Sequence, residues 1–144
     1  DSLPRDGLLI ITGDHGGTPV RAADQIDLAD RADLAAGVVE LSGEPRARHV
    51  HTAPGRAAEV AGAWRERLPD GWVVLSRDEA IAAGLFGPCV AEAVRPRIGD
   101  VVVAATGPGG IYDSRRYPWE LRLVGLHGGL SPSELRVPLL MATR

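Results

Sequence analysis

Short apolar runs interrupted by turn residues set the limits on this fold. Leu8 to Thr12, Val38 to Leu41, Ala47 to Thr52, Trp72 to Leu75, Val101 to Ala105 and Val137 to Met141 all have strand length, and the 18 glycines and 11 prolines of the chain cluster between such runs. Helical periodicity alternates with them. Ala57, Val60, Ala61 and Trp64 recur at three- and four-residue spacing, while Arg56, Glu59, Arg65, Glu66 and Arg67 occupy the other positions, which predicts an amphipathic helix ended by Pro69-Asp70-Gly71. Ser76-Arg77-Asp78-Glu79 has the form of a capping box, so a second helix is expected from Ser76 to about Ala83, with Gly84 as its stop. Ser131-Pro132-Ser133-Glu134 carries the same start signal. Strands alternating with helices place the chain in the α/β (α+β) class.

Within that class, Leu8 to Thr12 is apolar on both faces and bounded by Asp6-Gly7 and Gly13, which reads as a buried strand of a mostly parallel sheet. Thr18 to Asp33 is polar and irregular, with Pro19 and four aspartates, and reads as a surface loop. Ser42-Gly43-Glu44-Pro45 is turn chemistry joining two strands into a hairpin, and Pro138 favours an edge or a strand start. Residues from about Gly37 to Tyr112 read as a self-contained β-β-α-β-α-β unit. Only Leu8 to Thr12 and the last strand then remain for a second sheet, so the chain is expected to begin inside a larger protein.

Composition removes several function classes. A length of 144 residues with 44% hydrophobic and 24% charged residues suits one domain with a core. The net charge of -3 argues against a binder of nucleic acid polymers. No run approaches the roughly 20 apolar residues of a membrane span, and Asp1-Ser2-Leu3-Pro4-Arg5-Asp6 lacks a signal-peptide pattern. Cys89 is the only cysteine, which fits a reducing, cytoplasmic compartment. All 16 basic residues are arginine, so chemistry that needs a lysine amine within this chain is excluded. The coding bias of GC-rich genes also explains such a deficit.

Chemistry concentrates at two glycine-flanked histidines. Gly13-Asp14-His15-Gly16-Gly17 follows the first apolar run, and Gly125-Leu126-His127-Gly128-Gly129 lies near the other end. A carboxylate and an imidazole at a strand tip, where ligands gather in open α/β sheets, suit a zinc-like cation. A solvated loop after a strand would use the same residues, and the pair lacks the spacing of the stronger zinc motifs.

The ordered pair of motifs is more specific than either one. Leu9-Ile10-Ile11-Thr12-Gly13-Asp14-His15-Gly16, followed by Gly125 to Glu134 and by Val137-Pro138-Leu139-Leu140, resembles the C-terminal part of the alkaline phosphatase superfamily. The branch it resembles is the nucleotide pyrophosphatase and type I phosphodiesterase family. Gly43 to Val50 and Arg95 to Asp100 look like its actinobacterial members.

The resemblance implies a fragment of an alkaline-phosphatase-like sheet with an inserted β-β-α-β-α-β cap unit. Residues 1–36 would end the catalytic sheet, 37–112 form the cap, and 113–144 return to the sheet. It implies two divalent metal ions, of the zinc class, with Asp14 and His15 as ligands of one and His127 as a ligand of the other. Paired ions about 3.5 to 4 Å apart can stabilise the attacking and leaving oxygens of phosphoryl transfer. The family's threonine or serine nucleophile and its remaining ligands would lie upstream of Asp14, so none of the residues here is assigned as catalytic and the isolated chain is expected to be inactive. The implied substrate is a small-molecule phosphodiester or nucleotide. A non-catalytic binding or cap module is the alternative. Gly13 and Gly17 stand where family members often carry Ala and Met.

Other candidates have plainer readings beside the functional one. His49 and His51 share a strand face and could chelate a metal, or simply be half-buried strand residues. Arg115-Arg116 could meet a phosphate or line a solvated loop. Trp64 and Trp72 suit core packing. Oligomeric state leaves no mark on the sequence.

Overall fold

The computed structural model describes residues 4–143; Asp1, Ser2 and Leu3, part of the stretch searched for a signal-peptide pattern, and Arg144 lie outside the described residues. The chain is mixed α/β. Its elements are β1 (Leu8–Thr12), β2 (Thr18–Pro19), β3 (Gln25–Asp27), α1 (Ala32–Ala35), β4 (Val38–Glu44), β5 (Ala47–Thr52), α2 (Ala57–Arg67), β6 (Trp72–Ser76), α3 (Arg77–Ala82), β7 (Val101–Ala105), β8 (Gly110–Tyr112), β9 (Gly125–Leu126), α4 (Pro132–Leu135) and β10 (Leu139–Thr143), with short 3-10 turns between some of them.

The centre is a four-stranded sheet in the order β4-β5-β7-β6, every neighbouring pair antiparallel. β4 and β5 form the expected hairpin, but β4 runs on to Glu44, and the turn is Pro45-Arg46 between the paired Glu44 and Ala47. All five residues of β7 are buried because both faces of the sheet are covered. Val101 and Val103 join one core with Leu41, Val50, Val60, Trp64 and Ile111, whereas Val102 faces the other way onto Ala80 and Ile98. α2 supplies the enclosed Trp64, whose indole N–H donates to the Leu34 carbonyl at 2.9 Å, and Trp72 packs at the edge of the same core. α3 starts where expected: the Ser76 hydroxyl accepts the Glu79 N–H, and the Glu79 carboxylate accepts the Ser76 N–H.

Two expectations need correction. Thr18 to Asp33 is not all loop, since β3 pairs in parallel with β8 and β2 pairs with β9. Such short strands carry no readable alternation, and their partners lie far away in sequence.

The second concerns β1, which is neither buried nor parallel. It pairs antiparallel with β10, Ile10 opposite Met141, and all residues of both strands are exposed. Among the described residues no layer covers this ribbon. Ile10 is 52% and Met141 66% exposed, so apolar side chains and open strand edges face water together. A polypeptide of residues 1–144 alone is expected to self-associate through the ribbon. Ile10→Lys with Met141→Lys should shift its sedimentation toward the monomer, and identical sedimentation of the parent and the variant would place the contact elsewhere.

Candidate metal centre

β1 ends at Thr12 and hands the chain to Asp14 and His15; β9 ends at Leu126, immediately before His127. Thr18 in β2 pairs with Leu126, so the segment leaving the first loop lies against the strand entering the second. That pairing brings two ends of the sequence together. The imidazoles of His15 and His127 stack with centroids 3.8 Å apart and 16° between their planes.

Asp14 Oδ2 lies 3.7 Å from His15 Nε2, at side chains 89% and 45% exposed respectively. The His15 amide donates to Asp14 Oδ1 at 3.0 Å. This bond first, then the amide of Asp14 itself and the His15 ring, hold the Asp14 carboxyl below the usual carboxylate range. His15 Nδ1 sits 2.7 Å from the Gly16 carbonyl, which only accepts, so Nδ1 donates there and Nε2 is the nitrogen left to face a ligand.

One carboxylate and two imidazoles are the donor chemistry of a zinc-class cation. Bonds of about 2.0 Å in tetrahedral geometry separate neighbouring donors by roughly 3.3 Å, and the Asp14–His15 gap of 3.7 Å is close to that. The residues present therefore fit the group. They are not arranged as a coordination shell: among the described residues no group of three or more His, Cys, Asp or Glu side chains converges as one would.

The remaining candidates are placed apart from this centre. His49 Nδ1 accepts the Gly99 N–H at 3.2 Å, and His51 Nε2 lies 3.0 Å from the Ser42 hydroxyl, so each ring is engaged with its own partner. Burial, then the neighbouring His51, lowers the His49 pKa. Arg115 donates to the Ala29 carbonyl, and Arg116 lies 3.7 Å from Asp113. Cys89 is exposed.

Two buried arginines escaped sequence reasoning. Arg46 and Glu134 are each about 1% exposed and form a bidentate pair, Nε to Oε1 at 2.6 Å and Nη2 to Oε2 at 2.7 Å. Arg48 pairs in the same way with Glu120. A hairpin arginine reads as solvated on its own, and no local signal marks a partner 88 residues away.

Burial alone would raise the Glu134 carboxyl, but Arg46, the Ser131 hydroxyl and the Gly129 amide outweigh it and hold the group at about 2, against an ordinary 4.5. The folded value is the lower one, so the unfolded chain binds more protons between the two. Stability from this group is complete above about pH 4.5 and is lost as the pH falls through about 2. The urea midpoint should therefore drop from about pH 5 to about pH 3, and drop less in Glu134→Gln. Equal slopes in the two proteins would remove Glu134 as the cause.

Comparison with known proteins places this geometry in context. The model of the type I phosphodiesterase / nucleotide pyrophosphatase family matches residues 1–130. No curated protein matches the chain. Among solved structures, murine ectonucleotide pyrophosphatase / phosphodiesterase 5 superposes with a TM-score of 0.73 at 20% identity over 97% of this chain and 35% of its own. An inactive variant of that murine protein in complex with AMP gives 0.71 at 20% identity over 94% and 33%. Phosphonoacetate hydrolase from Sinorhizobium meliloti 1021, in complex with phosphonoacetate, gives 0.64 at 22% identity over 93% and 35%. The chain thus spans about a third of the length of the structures whose fold it shares.

Proposed function

The chain belongs to the type I phosphodiesterase / nucleotide pyrophosphatase family, and from that premise we propose that it carries part of a two-metal centre hydrolysing phosphoric ester or phosphoanhydride bonds. The observation that supports this most is the meeting of His15 and His127, drawn from opposite ends of the chain, beside the Asp14 carboxylate. When bound, paired zinc-class ions supply charge stabilisation to the attacking and leaving oxygens of an in-line transfer.

The chain's own residues have simpler tasks. The His15 amide stabilises the charged form of Asp14 and holds its carboxyl below the usual carboxylate range, so it offers a ready donor. His15 presents Nε2 because the Gly16 carbonyl holds the Nδ1 proton. His127 is kept beside it by the pairing of β2 with β9. The nucleophile, a threonine or serine, belongs to sequence upstream of residue 1 in this proposal, and residues 37–112 act as the cap that shapes access. Substrates are small phosphodiesters, nucleotides or phosphonates, as the ligands of the related structures, AMP and phosphonoacetate, suggest.

Metal removal tests the reading. The protein carrying these residues should release p-nitrophenol from bis(p-nitrophenyl) phosphate, lose that activity on treatment with EDTA, and regain it with zinc. Activity indifferent to EDTA would overturn the proposal. Residues 1–144 alone should hold zinc weakly and release no p-nitrophenol; turnover by that polypeptide would move the nucleophile inside it.

A further inference from the structure

We propose that Glu134, braced by Arg46, is the positioning residue of this centre, tying the His15 loop to the His127 loop and so setting the contact between the two rings. Its chemical consequence rests on the metal reading above; its geometry does not. The Glu134 backbone carbonyl accepts the Gly16 N–H at 2.8 Å, one residue after His15. The Glu134 carboxylate accepts the Gly129 N–H at 2.8 Å, two residues after His127. One residue therefore grips both loops.

Neither grip has slack. A Cβ on Gly16 would stand 1.9 Å from the Ser133 carbonyl oxygen, a backbone atom that cannot swing aside. A Cβ on Gly129 would stand 2.8 Å from the Ala105 carbonyl oxygen and as close to the Glu134 carboxylate. Behind the carboxylate, Arg46 is itself fixed by the Gly109 carbonyl at 2.6 Å and the Gly107 carbonyl at 3.0 Å, which anchors the assembly to the turn between β7 and β8. The capping box of α4 asks of the Glu134 carboxylate only the bond from the Ser131 N–H, at 3.3 Å, its other half being the Ser131 side chain facing the Glu134 N–H. The bonds to Gly16, Gly129 and Arg46 go beyond what a cap requires. Groups that orient metal-binding side chains from behind typically change metal affinity 10- to 100-fold when altered.

Glu134→Asp tests this, because the shorter side chain keeps a charge facing Arg46 yet cannot span from Arg46 to the Gly129 amide. Three quantities are measured in the full protein carrying these residues: thermal midpoint, the nuclear Overhauser effect between the His15 and His127 rings without zinc, and zinc affinity by competition with a chromophoric chelator. The expected result is a folded variant in which the ring-to-ring effect is lost and zinc binds roughly 10- to 100-fold more weakly. A folded variant with both readouts unchanged overturns the proposal. If the unaltered protein shows the ring-to-ring effect but binds zinc no better than Asp14→Ala does, the metal reading fails while the clamp stands. Should Glu134→Asp not fold, amide exchange in the unaltered protein decides: Gly16 and Gly129 should be protected equally and open together, and unrelated rates overturn the clamp.

Discussion

Arg48→Met is expected to cost the fold about 3–5 kcal/mol, read as a lower urea midpoint with an unchanged slope. Arg48 is 1% exposed, and all of its guanidinium contacts are internal: Nε donates to the Ile111 carbonyl at 2.8 Å, Nη1 to the Gly43 carbonyl at 2.6 Å, and the remaining contacts go to the Glu120 carboxylate. Removing the cation leaves a buried carboxylate without its counter-charge and two carbonyls without donors, each of which loses its exchange for water. The pair itself adds far less than its breakage costs, because both ions gave up hydration to enter the protein. Arg48→Met with Glu120→Leu should therefore recover most of the loss. A double variant as unstable as the single one would show that the carbonyl contacts, and not the uncompensated charge, dominate.

Asp14→Ala and His127→Ala, each made in the protein carrying these residues, are expected to lower turnover on the order of a thousandfold while the thermal midpoint stays nearly constant. The two effects separate because of where the side chains sit. Asp14 is largely exposed and bonded only within its own loop, so its removal opens no cavity and strands no buried partner. His127 is half-buried against His15, and the backbone of its loop is held at the Gly129 and Leu130 amides and not by the ring. Full activity in both variants would dismiss their assignment as metal ligands. A large fall in thermal midpoint in either would show a structural role instead.

Much of the architecture is legible locally. The capping box at Ser76 and Glu79 is formed as its spacing predicts, and the hairpin of β4 and β5 appears where turn chemistry separates two β-rich runs. The start of α4 at Ser131-Pro132 is equally readable. The hairpin turn shifts by a few residues, to Pro45-Arg46, because pairing continued through Gly43 and Glu44. Propensity marks such boundaries loosely, and cross-strand hydrogen bonds decide them. The two glycine-flanked histidines stand out in the sequence as well. Their stacking depends on the Thr18–Leu126 pairing, which two-residue strands do not announce.

The amino-acid order alone determined the class of fold and the starts of α3 and α4, because caps, turns and periodic apolar positions act over a few neighbours, and the ordered histidine motifs pointed by resemblance to the family and to the residues worth testing. Tertiary structure alone decided that Leu8 to Thr12 lies exposed against an antiparallel partner, that Arg46 and Arg48 are buried beside carboxylates, and that Glu134 holds two distant loops. Burial and charge pairing are properties of the assembled surface. A side chain's solvation depends on which remote segments pack over it, and no short window of sequence contains them.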